Sequence, residues 1–362
     1  MIAIVELPPG PSATDGEIAV INLESARRSE WARFRHDARL PGVAEAVIDL
    51  ERLTLQFLGD LGALDRLDGL AAEFAHVDDS SRAALVQAEV ASAAHRFAEA
   101  RDHLARAARM SGPREAIERQ TLAIDQACGV ELEAVLATRQ CIAAESRRLE
   151  DLVPLGALLA DLERFAEADI VYRQAFDAYD GMSPFPLAWV CFQLGMLWGE
   201  LVPAPAPNRA ALWYGRALAY LPGYVKARVH LAEIYASQDH TGDAEALLVP
   251  AISSGDPEVR WRLADVLIAQ ERFEEAETQL DAARCRFDAL LGTHRLAFAD
   301  HAAEFYAGSG NDRRRALELA RANVANRPTR RSVRQMHAIA VRFHEASQIS
   351  RGFKSPYDAN CP

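Results

Sequence analysis

A five-residue motif that recurs along the chain is the feature that most restricts its fold. Arg-Phe-Ala-Glu-Ala occurs at residues 96–100 and 164–168, and Arg-Phe-Glu-Glu-Ala occurs at 272–276. The three copies begin 68 and then 108 residues apart, which corresponds to two and three units of about 34–36 residues. Self-similarity at such a period indicates stacked repeats, because one unit alone cannot bury its apolar face.

Each unit has the pattern of two short antiparallel helices. In residues 226–236 the apolar positions follow helical spacing, residues 238–242 have the composition of a turn, and the helical pattern resumes at 244–252. Small residues recur at matching places, here at Ala232 and Ala244. Helix axes that approach within about 8–10 Å need small residues at the contact, so each unit is predicted to be a pair of packed helices.

This skeleton resembles the tetratricopeptide repeat (TPR) family, in its bacterial type. The best matches are Leu194-Gly195-Met196-Leu197-Trp198 with Trp213-Tyr214 and Pro222, and Leu231-Ala232 with Tyr235. The resemblance covers residues 80–346 and, more loosely, 42–76. It implies an all-α fold, a right-handed α-solenoid of about seven or eight TPR-like helix pairs with a C-terminal capping helix. The expected pairs and the cap are residues 42–76, 80–110, 114–148, 150–182, 186–222, 224–255, 257–290, 293–328 and 330–346.

The chain is accordingly divided into an N-terminal arm, residues 1–40, a helical solenoid, 41–346, and a flexible tail, 347–362. Ile2–Leu7 and Ile18–Leu23 are short β-prone runs separated by prolines and glycines. They predict a β-hairpin or an arm that adds a strand to a partner. A frayed terminus with chance aliphatic residues is the alternative.

Composition and charge restrict the classes of partner. The longest apolar stretch, residues 186–198, is too short to cross a bilayer, and the first nine residues lack the basic start of a signal peptide. We therefore expect a cytoplasmic protein and no membrane partner. A net charge of -12 argues against nucleic acid. Residues 311–362 are nevertheless basic, and they predict either solvated arginines or pairing with the acidic body of another copy.

The sequence offers no pattern that predicts catalysis. It contains no phosphate loop, GxSxG, HExxH or dinucleotide-binding glycine motif. The densest polar cluster is Asp300, His301 and Glu304, and no histidine has a second histidine three or four positions away beside a carboxylate. The five cysteines are far apart and include no CxxC. We therefore predict no catalytic residue, no metal and no cofactor.

The resemblance to TPR proteins implies that the first helix of each pair lines a concave groove. At those positions the chain lacks the Lys and Asn that clamp a terminal carboxylate in some eukaryotic TPR proteins, so that function is not implied. The groove is instead expected to be acidic and aromatic, and to suit a partner with basic and hydrophobic side chains. The alternative is that the acids are solvated and the tryptophans belong to the core. The candidate binding residues are Trp189, Phe192, Met196, Glu233, Trp261, Asp265, Asp300 and Glu304.

Three hypotheses for function remain open. The first is a non-catalytic scaffold that binds a peptide segment or a partner protein in this groove. The second is a regulatory sensor whose superhelical pitch changes when it binds a peptide. The third is an accessory subunit of an enzyme complex with a shared active site, to which Asp300 or His301 would contribute.

Overall fold

The computed structural model describes the backbone of residues 10–352 and the side chains of residues 10–342. Over these residues the chain forms eighteen α-helices and no strand. The helices are α1 (Gly16–His36), α2 (Val43–Leu58), α3 (Ala63–Val77), α4 (Ser81–Ala93), α5 (Phe97–Arg109), α6 (Arg114–Cys128), α7 (Leu132–Ser146), α8 (Leu149–Asp161), α9 (Phe165–Asp177), α10 (Pro184–Met196), α11 (Pro207–Tyr220), α12 (Val225–Ser237), α13 (Thr241–Leu248), α14 (Pro257–Ala269), α15 (Phe273–Thr293), α16 (Arg295–Ala307), α17 (Arg313–Asn326) and α18 (Arg330–Gly352). A π-helical turn, Leu197–Leu201, extends α10, and a 3-10 segment, Val249–Ser254, extends α13.

The predicted fold class is confirmed, because consecutive helices from α2 to α17 form eight antiparallel pairs and α18 follows as a cap. The pairs coincide with the predicted units. The proline-rich turn at residues 203–207 lies between α10 and α11, where the π-helical turn gives the chain the extra length. The right-handed sense of the solenoid stays a prediction.

The recurring motif marks the turn between the two helices of a pair. At its first copy His95 has a φ of 56°, and the backbone N–H of Arg96 donates to the carbonyl of Ala91 at 2.8 Å. The Arg96 guanidinium then pairs with Glu99 at 2.9 Å, across the first turn of α5. The same left-handed residue, backbone bond and ion pair recur at residues 159–167 and 267–275. The repeat of sequence is therefore a repeat of one turn geometry.

A glycine facing a tyrosine sets the closest approach within two of the pairs. A Cβ at Gly195 would lie 2.4 Å from Cε1 of Tyr214, and one at Gly156 would lie 2.5 Å from Cε1 of Tyr172. Both tyrosine rings are buried. Because no side chain stands between glycine and ring, α10 packs closely on α11 and α8 on α9.

The N-terminal segment is helical where a strand was predicted. Helix α1 begins after Asp15, whose Oδ1 accepts from the backbone N–H of Glu17 at 2.9 Å and of Ile18 at 3.1 Å. Ala19 and Leu23, one turn apart, enter the main core. The expected strand Ile18–Leu23 is therefore wrong, because a helix cap and an inward helical face outweigh the β-propensity of the isoleucines. The other expected strand, residues 2–7, lies outside the described residues.

The chain's C-terminal part also differs from the prediction. Helix α18 continues to Gly352, so residues 347–352 of the predicted flexible tail are helical. Residues 353–362 lie outside the described part of the chain.

The superhelix closes on itself, since the last helices return to the first. His294, before α16, contacts Asp65 of α3 through Nε2 at 2.8 Å, and the Asn326 amide donates to the carbonyl of His95 at 2.9 Å. Beyond this, arginines at the start of α18 approach Glu163 and Glu200 of earlier pairs. These contacts bring the two end regions of the described helices together, and residues from both regions line a common interior.

The glycine–tyrosine contact predicts opposite effects for two substitutions in the same pair. Gly195→Ala should lower the free energy of unfolding by about 1–3 kcal/mol, because the added methyl meets the Tyr214 ring. Gly215→Ala in α11 has no atom within 4 Å of the new Cβ, and it should raise stability by about 0.5–1 kcal/mol. Denaturant unfolding measures both, and equal effects of the two variants would contradict the packing described.

Candidate functional site

The aromatic residues predicted to floor the groove are mostly core residues. Phe192 of α10 is buried, with its ring 5.6 Å from that of Tyr214 and 5.2 Å from that of Tyr224. Met196 is buried in the same cluster. The structure corrects the prediction that these two side chains line an accessible groove. Apolar side chains stabilise the fold more when they are buried between stacked helices than when they face water.

The tryptophans follow the same rule. Trp261 of α14 is only 4% exposed. Its ring packs edge-on against Phe305 at 5.5 Å, and its Nε1 donates to Ser309 at 3.0 Å. Trp189 is partly buried and packs against the main core. Trp261 is thus an inter-helix core residue with a satisfied N–H, which corrects its predicted place in an accessible groove.

Two of the predicted acids, Glu233 and Asp265, are brought together by one arginine. Arg262 contacts Glu233 at 2.6 Å and Asp265 at 3.6 Å, and its guanidinium lies 3.7 Å from the centre of the Trp261 ring. Asp265 also accepts a hydrogen bond from Ser309 at 2.6 Å. Burial raises the pKa of both carboxyls, and Arg262 opposes that rise. The chain itself therefore neutralises much of this acidic wall.

Asp300 and Glu304 of α16 are covered in part by α18. Gln335 donates to the Glu304 carboxylate at 2.7 Å and to the Asp300 carbonyl at 3.1 Å. Burial opposes ionisation of Asp300, but neighbouring His301 and Arg327 outweigh it and lower the pKa of that carboxyl. Glu304 is the member of the predicted set whose side chain is most exposed.

A cavity that no sequence pattern predicted lies inside the closed superhelix. It has a volume of about 430 Å³ and is bounded by helices from both halves of the chain. We call it the central cavity. Its apolar wall includes Leu55, Leu61, Leu64, Phe97, Phe287 and Phe298, and its polar wall includes Arg52, Glu89, His95, Gln120, Lys226, Asp256, Glu258 and His301.

The strongest electrostatic contact at the central cavity joins α14 and α16. His301 Nδ1 hydrogen-bonds the carboxylate of Glu258, and His301 Nε2 lies 3.8 Å from Asp300. Glu258 first and Asp300 second raise the pKa of His301 to about 10. The imidazole is therefore charged at neutral pH, and the pKa of Glu258 is lowered in turn, because His301 outweighs the effect of burial.

Asp256 and His95 have perturbed pKa values at the same cavity. Burial, reinforced by Glu258, raises the pKa of Asp256 to about 6. Its Oδ1 caps α14 by accepting from the backbone N–H of Glu258 at 3.0 Å. Burial and Arg327 lower the pKa of His95 to about 4, so His95 is neutral at pH 7. Perturbed titratable groups converging on one cavity are typical of a binding site.

Sequence reasoning found part of this site. It singled out Asp300, His301 and Glu304 as a cluster, but His301 has its main partner, Glu258, 43 positions away. No pattern could have linked Lys226 of α12 to the turn before α5. Within residues 10–342, no three His, Cys, Asp or Glu side chains are placed to hold a metal ion. Among the helices of residues 10–352, none is both long enough and apolar enough to cross a membrane.

Comparison with known proteins found similarity to solved structures alone. No family model and no curated protein matches it. The solved structures that it resembles include a TPR repeat-containing protein. The APC/C hetero-tetramer Cut9–Hcn1 is 13% identical with a TM-score of 0.49, over 73% of this chain and 50% of that one. The chain thus spans half the length of that relative.

Two further structures show the same kind of likeness. The C-terminal part of a TPR repeat-containing protein from Cytophaga hutchinsonii is 12% identical with a TM-score of 0.33, over 81% of this chain and 98% of that one. Human IFIT1, solved as a dimer with m7Gppp-AAAA, is 16% identical with a TM-score of 0.39, over 86% of this chain and 73% of that one.

The raised pKa of His301 predicts how stability depends on pH. An imidazole with a folded-state pKa near 10 and an unfolded pKa near 6.5 stabilises the fold fully below pH 6.5. That contribution is lost as the pH rises towards 10. His301→Gln should therefore lower the melting temperature at pH 7, and the difference from wild type should shrink by pH 10. Imidazole NMR titration gives a direct measurement, and a His301 midpoint near 6.5 would contradict the pairing.

Proposed function

We propose that the protein is a non-catalytic scaffold that binds a segment of a partner protein on its inner wall. The observation that carries the proposal is the central cavity, which opens into the interior of a stack of helix pairs. Stacked repeats present extended concave surfaces of this kind, and proteins use them to bind other chains. The fold alone does not fix the function, so the argument depends on the cavity and its chemistry.

The chemistry of the thiols supports a role other than catalysis. Burial raises the pKa of Cys128 and of Cys191, so both thiols are protonated at neutral pH and neither is an activated nucleophile. His301 is held in an ion pair with Glu258, which makes it a poor general base near pH 7. These groups stabilise the interior instead.

The chemistry of the wall suggests what the partner segment carries. The apolar side of the central cavity suits a hydrophobic side chain, which gains free energy by burial. The partly exposed carboxylates of Asp300 and Glu304, and those of Glu233 and Asp265, suit a basic side chain. Arg262 and Arg327 weaken that attraction, so the hydrophobic contact is expected to contribute most of the affinity. Trp189 at the edge of the main core, which contains the buried Phe192 and Met196, would support the contact surface, and Trp261, buried in a separate cluster, would support it from α14.

The sensor hypothesis is a second candidate because the superhelix is closed. The contacts of His294 with Asp65 and of Asn326 with His95 join the two ends of the array. A segment that entered the interior would loosen or tighten these contacts, and the pitch of the array would respond. A cytoplasmic location, a bacterial origin and self-association through the basic C-terminal residues stay predictions.

Filling the central cavity tests the proposal. Ala123 of α6 lines the cavity and is exposed, so Ala123→Trp should block the space without disturbing the core. Peptides selected on the wild-type protein from a phage-displayed random library should bind this variant at least about tenfold more weakly. Ala137→Trp, at an exposed site on α7, is the matched control and should bind them normally. Equal affinity for both variants, with unchanged melting temperatures, would refute the proposed site.

A further inference from the structure

The central cavity has the dimensions of a small-molecule site. Ligand pockets in proteins typically have volumes of about 300–1,000 Å³ and combine apolar walls with a few polar groups. At about 430 Å³ the central cavity lies within that range. Its lining includes both apolar and charged residues, so a ligand that fits it should carry both apolar and charged groups.

Most charges at the cavity already have partners. Arg52 pairs with Glu89 at 2.8 Å, and His301 pairs with Glu258. What remains is the ammonium of Lys226, which makes no hydrogen bond or ion pair to any residue in 10–342. The central cavity thus contains a cation that has no direct hydrogen-bond or ion-pair partner among the described residues.

A carboxylate without a side-chain partner faces the same cavity. Asp256 is 7% exposed. The contact made by its side chain is the cap to the backbone N–H of Glu258, and Asp256 has no ion pair within residues 10–342. A carboxylate can accept about four hydrogen bonds, so most of its capacity is unused. Lys226 and Asp256 are near enough to influence each other electrostatically, but they do not form an ion pair.

Two further polar atoms at the cavity lack partners. His95 Nδ1 and Gln120 Oε1 are buried without a hydrogen bond to any group in the described part of the chain. The His95 ring is fixed by stacking on Phe97 at 5.4 Å. Buried polar groups are normally satisfied, and these two atoms belong to residues that line the cavity, where a polar ligand would offer them partners after a small side-chain rotation. A neutral imidazole can either donate or accept at Nδ1, and the amide oxygen can accept from an ammonium.

We propose that the central cavity binds a small zwitterion with an apolar side chain, in the class of free amino acids. Its carboxylate would face Lys226, its ammonium would face Asp256, and its side chain would contact partly exposed apolar lining residues such as Leu55 and Phe298. This inference goes beyond the proposed scaffold function, because such a ligand needs no partner protein. Binding of amino acids and capture of peptides are measured separately, so either can fail without the other.

Isothermal titration calorimetry on the full chain tests the proposal with leucine and phenylalanine as probes. At least one should bind, whereas its N-acetyl derivative, which lacks the ammonium, and its amide, which lacks the carboxylate, should bind at least about tenfold more weakly. Absence of binding by both amino acids up to about 10 mM would overturn the proposal, since weaker affinities correspond to less than about 3 kcal/mol. Equal binding of the N-acetyl derivative would overturn it too, since the cavity would then be a simple anion site.

Two substitutions separate the anchors from the fold. Lys226→Gln and Asp256→Asn should each weaken amino-acid binding at least about tenfold. Asparagine caps a helix as well as aspartate does, so Asp256→Asn should melt no lower than wild type at pH 7. Asp312→Asn makes the same exchange at the cap of α17, at a residue that does not line the central cavity, and should leave binding unchanged. Unchanged binding in both cavity variants, or an equal loss in the Asp312 variant, would contradict the assignment.

Discussion

The architecture depends on how closely the two helices of a pair can approach. Gly195 against Tyr214 and Gly156 against Tyr172 leave room for a whole aromatic ring where other residues would place a Cβ. Elsewhere alanines fill the same role, and Ala100, Ala168 and Ala276 of the recurring motif are all buried. Because each pair is compact, successive pairs stack at short distances and the accumulated rotation closes the superhelix. The interior of the array thus depends on the small size of the residues at these helix contacts.

Sequence patterns predicted the helix pairs well, because the evidence for them is local. The small residues, the turn before each motif arginine and the closing prolines all lie within one unit. The residues of helix α1 predict a strand because Ile18, Val20 and Ile21 are β-branched. Asp15 followed by Glu17 is the opposing signal, since this pair is typical of a capped helix start. In that segment burial of one helical face, which depends on distant helices, decided the outcome.

The site could be predicted only in part, since it depends on long-range geometry. Periodicity places a residue on a helix face, but it does not tell whether a neighbouring pair covers that face. Phe192 and Trp261 were assigned to the groove and are covered. His95 meets Lys226 and Asp256 only because the array closes, whereas Lys226 and Asp256 belong to adjacent pairs. Arg262 shows a related effect, since its compensation of Glu233 and Asp265 follows from its rotamer and not from the charge pattern.

The closure of the array also changes how the chain should tolerate shortening. In an open solenoid each unit touches only its neighbours, so terminal units can fray or be removed at a local cost. Here His294 and Asn326, near the end of the chain, contact Asp65 and His95 near its beginning. The first two helix pairs and the last pair are consequently in direct contact. Such a molecule should unfold as one cooperative body rather than unit by unit. The sequence repeats are therefore not independent folding units.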